Sequence, residues 1–142
     1  MDSHYYLHAP ADIGLINDIV KAINGEYSAI ACYEVLSKLA PTEEIRKQIL
    51  EIRNDEIRHY QVFTHMYTML TGRLPTPTMI EQCASEYIAG VHAAFKDEQE
   101  TVDFYNGISA RAHDPVIREE FARAAADEQN HAVWFLYFLI KQ

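Results

Sequence analysis

The chain has 142 residues, 49% of them apolar and 23% charged, the balance of one folded domain with a single core rather than of a disordered segment. Twelve basic against 21 acidic side chains give a net charge of -9, which excludes a nucleic-acid phosphate backbone as a partner. No apolar run approaches a membrane span, and Met1-Asp2-Ser3-His4-Tyr5-Tyr6 has neither the basic start nor the apolar stretch of a secretory signal. A single cytoplasmic domain over 1–142, without a membrane partner, is expected.

Four helical segments are predicted, near 11–40, 43–71, 79–112 and 115–141, and no stretch alternates with the period of two that a half-buried strand requires. The first carries Ile16, Ile19, Ile23, Glu26, Ile30, Tyr33, Ser37 and Ala40 at alternating steps of three and four, and stops at Pro41. The second starts at Thr42, with Glu43 and Glu44 near the positive end of the helix. Its seam is Ile45, Ile49, Ile52, Glu56, His59, Phe63, Met66 and Leu70. Gly72, Pro75 and Pro77 break the chain, and Thr78 with Glu81 has the form of a capping box opening the third segment. That helix offers Ile88, Val91, Phe95, Glu98, Val102, Tyr105, Ser109 and Ala112. Asp114-Pro115 opens the fourth, whose seam is Ile117, Phe121, Ala124, Glu128, His131, Phe135 and Phe138. Seams of this spacing pack helices at small crossing angles, so the predicted fold is an all-α four-helix bundle.

Apart from Ser37 and Ser109, each seam is apolar except at its middle. There a glutamate takes a core position, followed in two seams by a histidine three residues on. Four carboxylates buried in one core would cost several kcal/mol each unless a cation compensated them. Sliding the chain on itself by 72 residues aligns 22–70 with 94–142 and makes 11 of those pairs identical, where roughly three are expected. The identities include Glu26/Glu98, Tyr33/Tyr105, Asp55/Asp127, Glu56/Glu128, His59/His131 and Phe63/Phe135. Two copies of a helical hairpin follow, each with one Glu and one Asp-Glu-x-x-His. Residues three apart share a helix face, so Glu56 with His59, and Glu128 with His131, aim an oxygen and a nitrogen at one place. Four carboxylates and two imidazoles suit two ions of borderline hardness.

One Glu from each of two helices plus Glu-x-x-His from the other two is the ligand set of ferritin-like di-iron bundles. With Phe95-Lys96-Asp97-Glu98-Gln99-Glu100-Thr101-Val102-Asp103-Phe104-Tyr105 and Asp127-Glu128-Gln129-Asn130-His131, the chain resembles the rubrerythrin-type domains of the ferritin-like superfamily over about residues 12–140. The resemblance implies two iron ions, replaceable by zinc or manganese. Glu56 and Glu128 would bridge them, Glu26 and Glu98 would be terminal, and His59 and His131 would give one imidazole each. Asp55 and Asp127 would orient the histidine rings. Tyr33 and Tyr105, on the same seams, are either core packing or hydrogen-bond donors to a ligand carboxylate.

The chain departs from that family in two ways. It lacks the paired Cys-x-x-Cys of a rubredoxin centre, so electrons would come from a separate donor such as a rubredoxin-like protein. The positions three either side of Glu98 are Phe95 and Thr101, which cannot supply the further carboxylate of peroxide-reducing rubrerythrins, and Asp97 and Glu100 read as facing elsewhere. Cys32 and Cys83 read as isolated buried thiols, too few for a disulfide framework. His4, His8, His65, His92 and His113 read as non-ligands, and Trp134 as a packing residue.

Three functions fit: reduction of peroxide or dioxygen with an external reductant, oxidation of Fe(II) for storage, or inert binding of zinc or manganese. A homodimer is the expected assembly. The ferritin-like arrangement that the resemblance implies runs the second and third helices parallel, which needs a connection of roughly 50 Å, whereas Gly72 to Thr78 spans at most about 28 Å. Either Met79 to Cys83 is a separate turn and the chain runs nearly straight there, or two chains exchange hairpins.

Overall fold

The computed structural model describes residues 12–141; His4 and His8 lie outside them. Helices α1 (Ile13–Leu39), α2 (Glu43–Thr71), α3 (Tyr87–Arg111) and α4 (Pro115–Ile140) form an all-α four-helix bundle, with no strand among the described residues. It is built of two hairpins, α1 with α2 and α3 with α4.

Local chemistry sets most of the helix ends. The Asp12 carboxylate accepts from Leu15 N–H, Thr42 Oγ1 from Ile45 N–H, and Asp114 Oδ1 from Val116 and Ile117 N–H, each satisfying donors that the first turn leaves without partners. At the other end of α2, Gly72 adopts φ 71°, and its N–H closes on Thr68 O at 2.8 Å. Only glycine enters that left-handed conformation without strain.

The third helix differs from expectation. It begins at Tyr87, and the capping box read at Thr78 and Glu81 does not form. Thr78 N–H instead donates to Asn24 Oδ1 and Ile80 N–H to Ser28 Oγ, both at 2.9 Å, while Cys83 is disulfide-bonded to Cys32. Tertiary partners on α1 thus outweigh a local helix-start signal. The non-helical connection of about 15 residues, 72–86, reaches about 50 Å when extended, enough to travel the bundle's length. The two cysteines are therefore not free thiols, as their isolation in sequence suggested. They meet because the connection lies along α1.

The polypeptide direction follows from the pairs formed. Arg53 Nε donates to Ile30 O and His59 meets Glu26, so α2 is antiparallel to α1. Tyr33 meets Glu98, Glu26 meets Tyr105 and Asp18 meets Arg111, so α3 is also antiparallel to α1 and parallel to α2. At one end of α3 the backbone of Gly90 approaches α1 so closely that a Cβ there would lie 2.6 Å from Leu36 Cδ1. Both hairpins of one chain close on each other, and hairpin exchange is not needed to bring the six candidate ligands together.

The core is divided in two. One half contains Ile19, Ile23, Phe63, Ile108 and Phe121, with Phe63 and Phe121 stacked at 4.4 Å. The other contains Leu36, Ile49, Ile52, Val91, Phe135 and Phe138. Between them lies a layer of buried Glu26, Glu56, His59, Glu98, Glu128 and His131, each 5% exposed or less. His65, His92 and His113 are exposed, and Trp134 packs edge-on against Tyr137 beside Phe138.

Candidate metal centre

The polar layer resolves into two overlapping groups, Glu26, Glu56, His59 and Glu128, and Glu56, Glu98, Glu128 and His131. Within each group the candidate ligand atoms lie within 4.8 Å of one another. His59 Nδ1 stands 2.9 Å from Glu26 Oε2, 3.1 Å from Glu128 Oε1 and 3.4 Å from Glu56 Oε1. His131 Nδ1 stands 3.3 Å from Glu56 Oε1, 3.5 Å from Glu98 Oε2 and 3.8 Å from Glu128 Oε2. Neighbouring ligands of an ion held at about 2.1 Å are about 3 Å apart, so these spacings suit one ion in each group. Glu56 and Glu128 belong to both groups. Glu128 faces them with different oxygens, as a bridging carboxylate does.

The second ring nitrogens are also committed. His59 Nε2 donates to Asp127 Oδ2 and His131 Nε2 to Asp55 Oδ2, both at 2.7 Å. Each aspartate therefore serves the histidine of the other hairpin, and with the proton fixed on Nε2 the Nδ1 lone pair can serve a metal. The tyrosines cross over too. Tyr33 donates to Glu98 Oε1 at 2.6 Å and Tyr105 to Glu26 Oε2 at 3.0 Å. Of the two readings open for these residues, the hydrogen-bonding one is found, and burial together with the nearby carboxylates keeps both phenols protonated.

Electrostatics marks the layer as short of positive charge. Burial, then the charge of Glu56, raises Glu26 and Glu128 well above the ordinary carboxylate range and raises Glu98 as well. Burial also acts on Glu56, but the two imidazoles outweigh it and hold this carboxyl low. Burial opposes charge on the histidines, yet Asp127 and Glu128 around His59, and Glu128 and Glu56 around His131, drive both far upward. Protons on the imidazoles occupy the place a cation would take. Glu56 Oε1, Glu98 Oε2 and His131 Nδ1 are buried without a hydrogen-bond partner. Three such atoms facing one point cost several kcal/mol that a bound cation would recover. The donor set and these orphaned atoms fit a pair of metal ions.

Three neighbours escaped the sequence reading. Arg58 donates to both Asp55 and Asp127 at 3.1 Å, tying the two outer aspartates together. Its counterpart in the repeat is Asn130, so internal symmetry could not flag it. Asp97, read as facing elsewhere, is half-buried and lines a cavity of about 160 Å3, together with Glu100, Lys21 and Ile80, that reaches Glu26, Glu56 and Glu128. Burial, then the charges of Glu81 and Glu98, pushes Asp97 up to about 7. The third is the Cys32–Cys83 disulfide, beside Asp97 in an adjoining cleft.

The outer aspartates give the first prediction. Asp127→Asn removes the negative partner of His59 while keeping its size, and should weaken metal binding at the position His59 serves by roughly 10–100-fold. A Co(II) titration against a competing chelator measures it. Unchanged affinity would mean that Asp127 only neutralises Arg58.

No protein-family model matches the chain. Its fold is shared with a hypothetical protein from Pyrococcus furiosus, at a TM-score of 0.78 over 94% of this chain and 92% of that one, with 17% sequence identity. Over 128 residues, 90% of this chain and 88% of the relative, it is 52% identical to the uncharacterized protein YhjR of Bacillus subtilis (strain 168), and so it belongs to the family of YhjR.

Proposed function

We propose that the chain is a rubrerythrin-like, non-haem di-iron protein that reduces peroxide or dioxygen with electrons from an external donor. The observation that carries this reading is the pair of buried ligand groups sharing Glu56 and Glu128 at the centre of a duplicated bundle. The likeness of residues 95–105 and 127–131 to rubrerythrin-type domains supports it. Zinc or manganese would suit the same donors. A pair of iron ions supplies two one-electron changes, the number that reduction of peroxide to water consumes.

The chain's own residues perform the rest. Asp55 and Asp127 fix the tautomer of His131 and His59, so that each Nδ1 is free to bind. Tyr33 and Tyr105 hold Glu98 and Glu26 in place from the opposite hairpin. Phe63, Phe121 and Phe135 are fully buried and close the layer along the bundle axis on both sides. The cavity beside Asp97 has room for a molecule the size of peroxide. The sequence holds no paired Cys-x-x-Cys, and this reading therefore assigns electron supply to an external donor such as a rubredoxin-like protein.

A second reading, Fe(II) oxidation for storage, has one observation in its favour: the acidic lining of that cavity by Asp97 and Glu100. The two separate in one experiment. Diferrous protein prepared without air is mixed with hydrogen peroxide or with air, then re-reduced and mixed again. The redox-enzyme reading expects rapid oxidation, two irons retained per chain and repeated cycles. Accumulation of many Fe(III) ions in large particles would favour storage, and inertness to both oxidants would end the redox reading.

A further inference from the structure

Beyond the metal centre, the connection between the hairpins is itself a device. It is attached to α1 at three positions spaced four residues apart on one helix face: Asn24, Ser28 and Cys32. Asn24 and Ser28 hold Thr78 and Ile80 through single hydrogen bonds, and Ser28 Oγ donates in turn to Asn24 O at 2.9 Å. Only the Cys32–Cys83 attachment is covalent. The strap so held roofs two openings. Ile80 lines the cavity that reaches Glu26, Glu56 and Glu128, and Glu81 to Ala84 line the adjoining cleft with Tyr33 and Asp97. Cys32 also immediately precedes Tyr33, whose hydroxyl holds Glu98.

We propose that Cys32–Cys83 is a redox site for an external dithiol, and that its reduction frees the strap and opens the cavity to the metal centre. Both cysteines are half-buried rather than enclosed, so a thiolate can approach. The attacking thiolate forms a mixed disulfide with one sulfur and releases the other as a thiol. The second thiol of the reductant then completes the exchange. The S–S bond breaks, the two cysteines gain two electrons and two protons, and the external dithiol becomes a disulfide. Of the three attachments to α1, one exposed and one partly buried hydrogen bond then remain, and segments held so lightly open locally far more often. Release of the strap stands independently of the di-metal reading; the gating rests on it.

The experiment compares oxidised protein, protein reduced with dithiothreitol and desalted without air, and Cys83→Ser, with Co(II) as the metal probe. Backbone N–H exchange at Thr78 and Ile80, and extraction of Co(II) by excess EDTA, should each be roughly tenfold faster or more in the reduced protein and in Cys83→Ser. Cys83→Ser should not respond to dithiothreitol, and the amount of Co(II) bound at saturation should be the same in all three. Equal exchange at Thr78 and Ile80 in oxidised and reduced protein overturns strap release. Faster exchange with unchanged Co(II) extraction overturns the gating alone. If no form binds Co(II), the metal reading and the gating fall together, and amide exchange still decides whether the disulfide restrains the strap.

Discussion

Removal of bound metal should lower the melting temperature by roughly 10 °C or more, and by a larger margin as pH rises. A ligand present at a thousand times its dissociation constant stabilises the folded state by about 4 kcal/mol per site, and a chain of this size gains a few degrees per kcal/mol. The pH dependence follows from which groups keep protons in the metal-free fold. Glu26, Glu98 and Glu128 have raised values, so they impose no penalty below the ordinary carboxylate range and an increasing one as pH climbs through it. His59 and His131 are raised as well. Their stabilising contribution is complete below the ordinary imidazole range and is lost as pH rises toward their folded values. Glu56 and Asp127 act oppositely, through lowered values that matter only toward strong acid. Metal-free protein is thus most stable in mild acid, whereas metal binding must displace protons and strengthens with pH. Calorimetry of metal-free and Co(II)-loaded protein between about pH 5 and pH 8 should show the gap widening. A gap that stays constant or narrows would mean that these carboxylates and imidazoles are not the ligands.

Replacing Glu56 or Glu128 by alanine should empty both metal positions, whereas replacing Glu26, Glu98, His59 or His131 should empty one. The asymmetry comes from the geometry: the first two residues belong to both ligand groups and the other four to one each. Metal analysis of each purified variant, loaded with Co(II) at equal excess, reads the outcome directly. A second measurement guards against loss of fold. Glu128→Gln removes a carboxyl whose burial makes ionisation unfavourable, so its metal-free form should melt higher than metal-free wild type while binding little metal. Retention of two ions by Glu128→Ala would show that the carboxylate is not shared.

The sequence carried the site more completely than the chain path. The seams put Glu26, Glu56, His59, Glu98, Glu128 and His131 on inward faces because helical periodicity is local and the bundle leaves one face to bury. The repeat then paired them, and paired Asp55 with Asp127 and Tyr33 with Tyr105. Nothing in either signal says that these residues act across hairpins, since helix faces carry no information about which neighbour they meet. The connection was misread for a related reason. Thr78 and Glu81 satisfy a local helix-start pattern, but Asn24, Ser28 and Cys32, about 50 residues away in sequence, decide the backbone there. Once that stretch is drawn as helix, Cys83 cannot be seen to reach Cys32. Arg58 and Asp97 lack a matching partner in the other copy, so a search by internal symmetry passes over them.

The crossed contacts bear on how such a chain can change over evolutionary time. Asp55 serves His131 and Asp127 serves His59, while Tyr33 serves Glu98 and Tyr105 serves Glu26. A hairpin paired with an identical copy about a two-fold axis would form the same four contacts, so a half-length ancestor could have assembled this centre as a dimer. Fusion into one polypeptide removes the requirement that both halves remain identical. Arg58 where the other copy has Asn130, and a cystine joining one half to the connection alone, are departures that a symmetric dimer could not have made. The residue positioned to compensate a substitution at one of these contacts lies 65 to 79 positions away in the chain, in the opposite half.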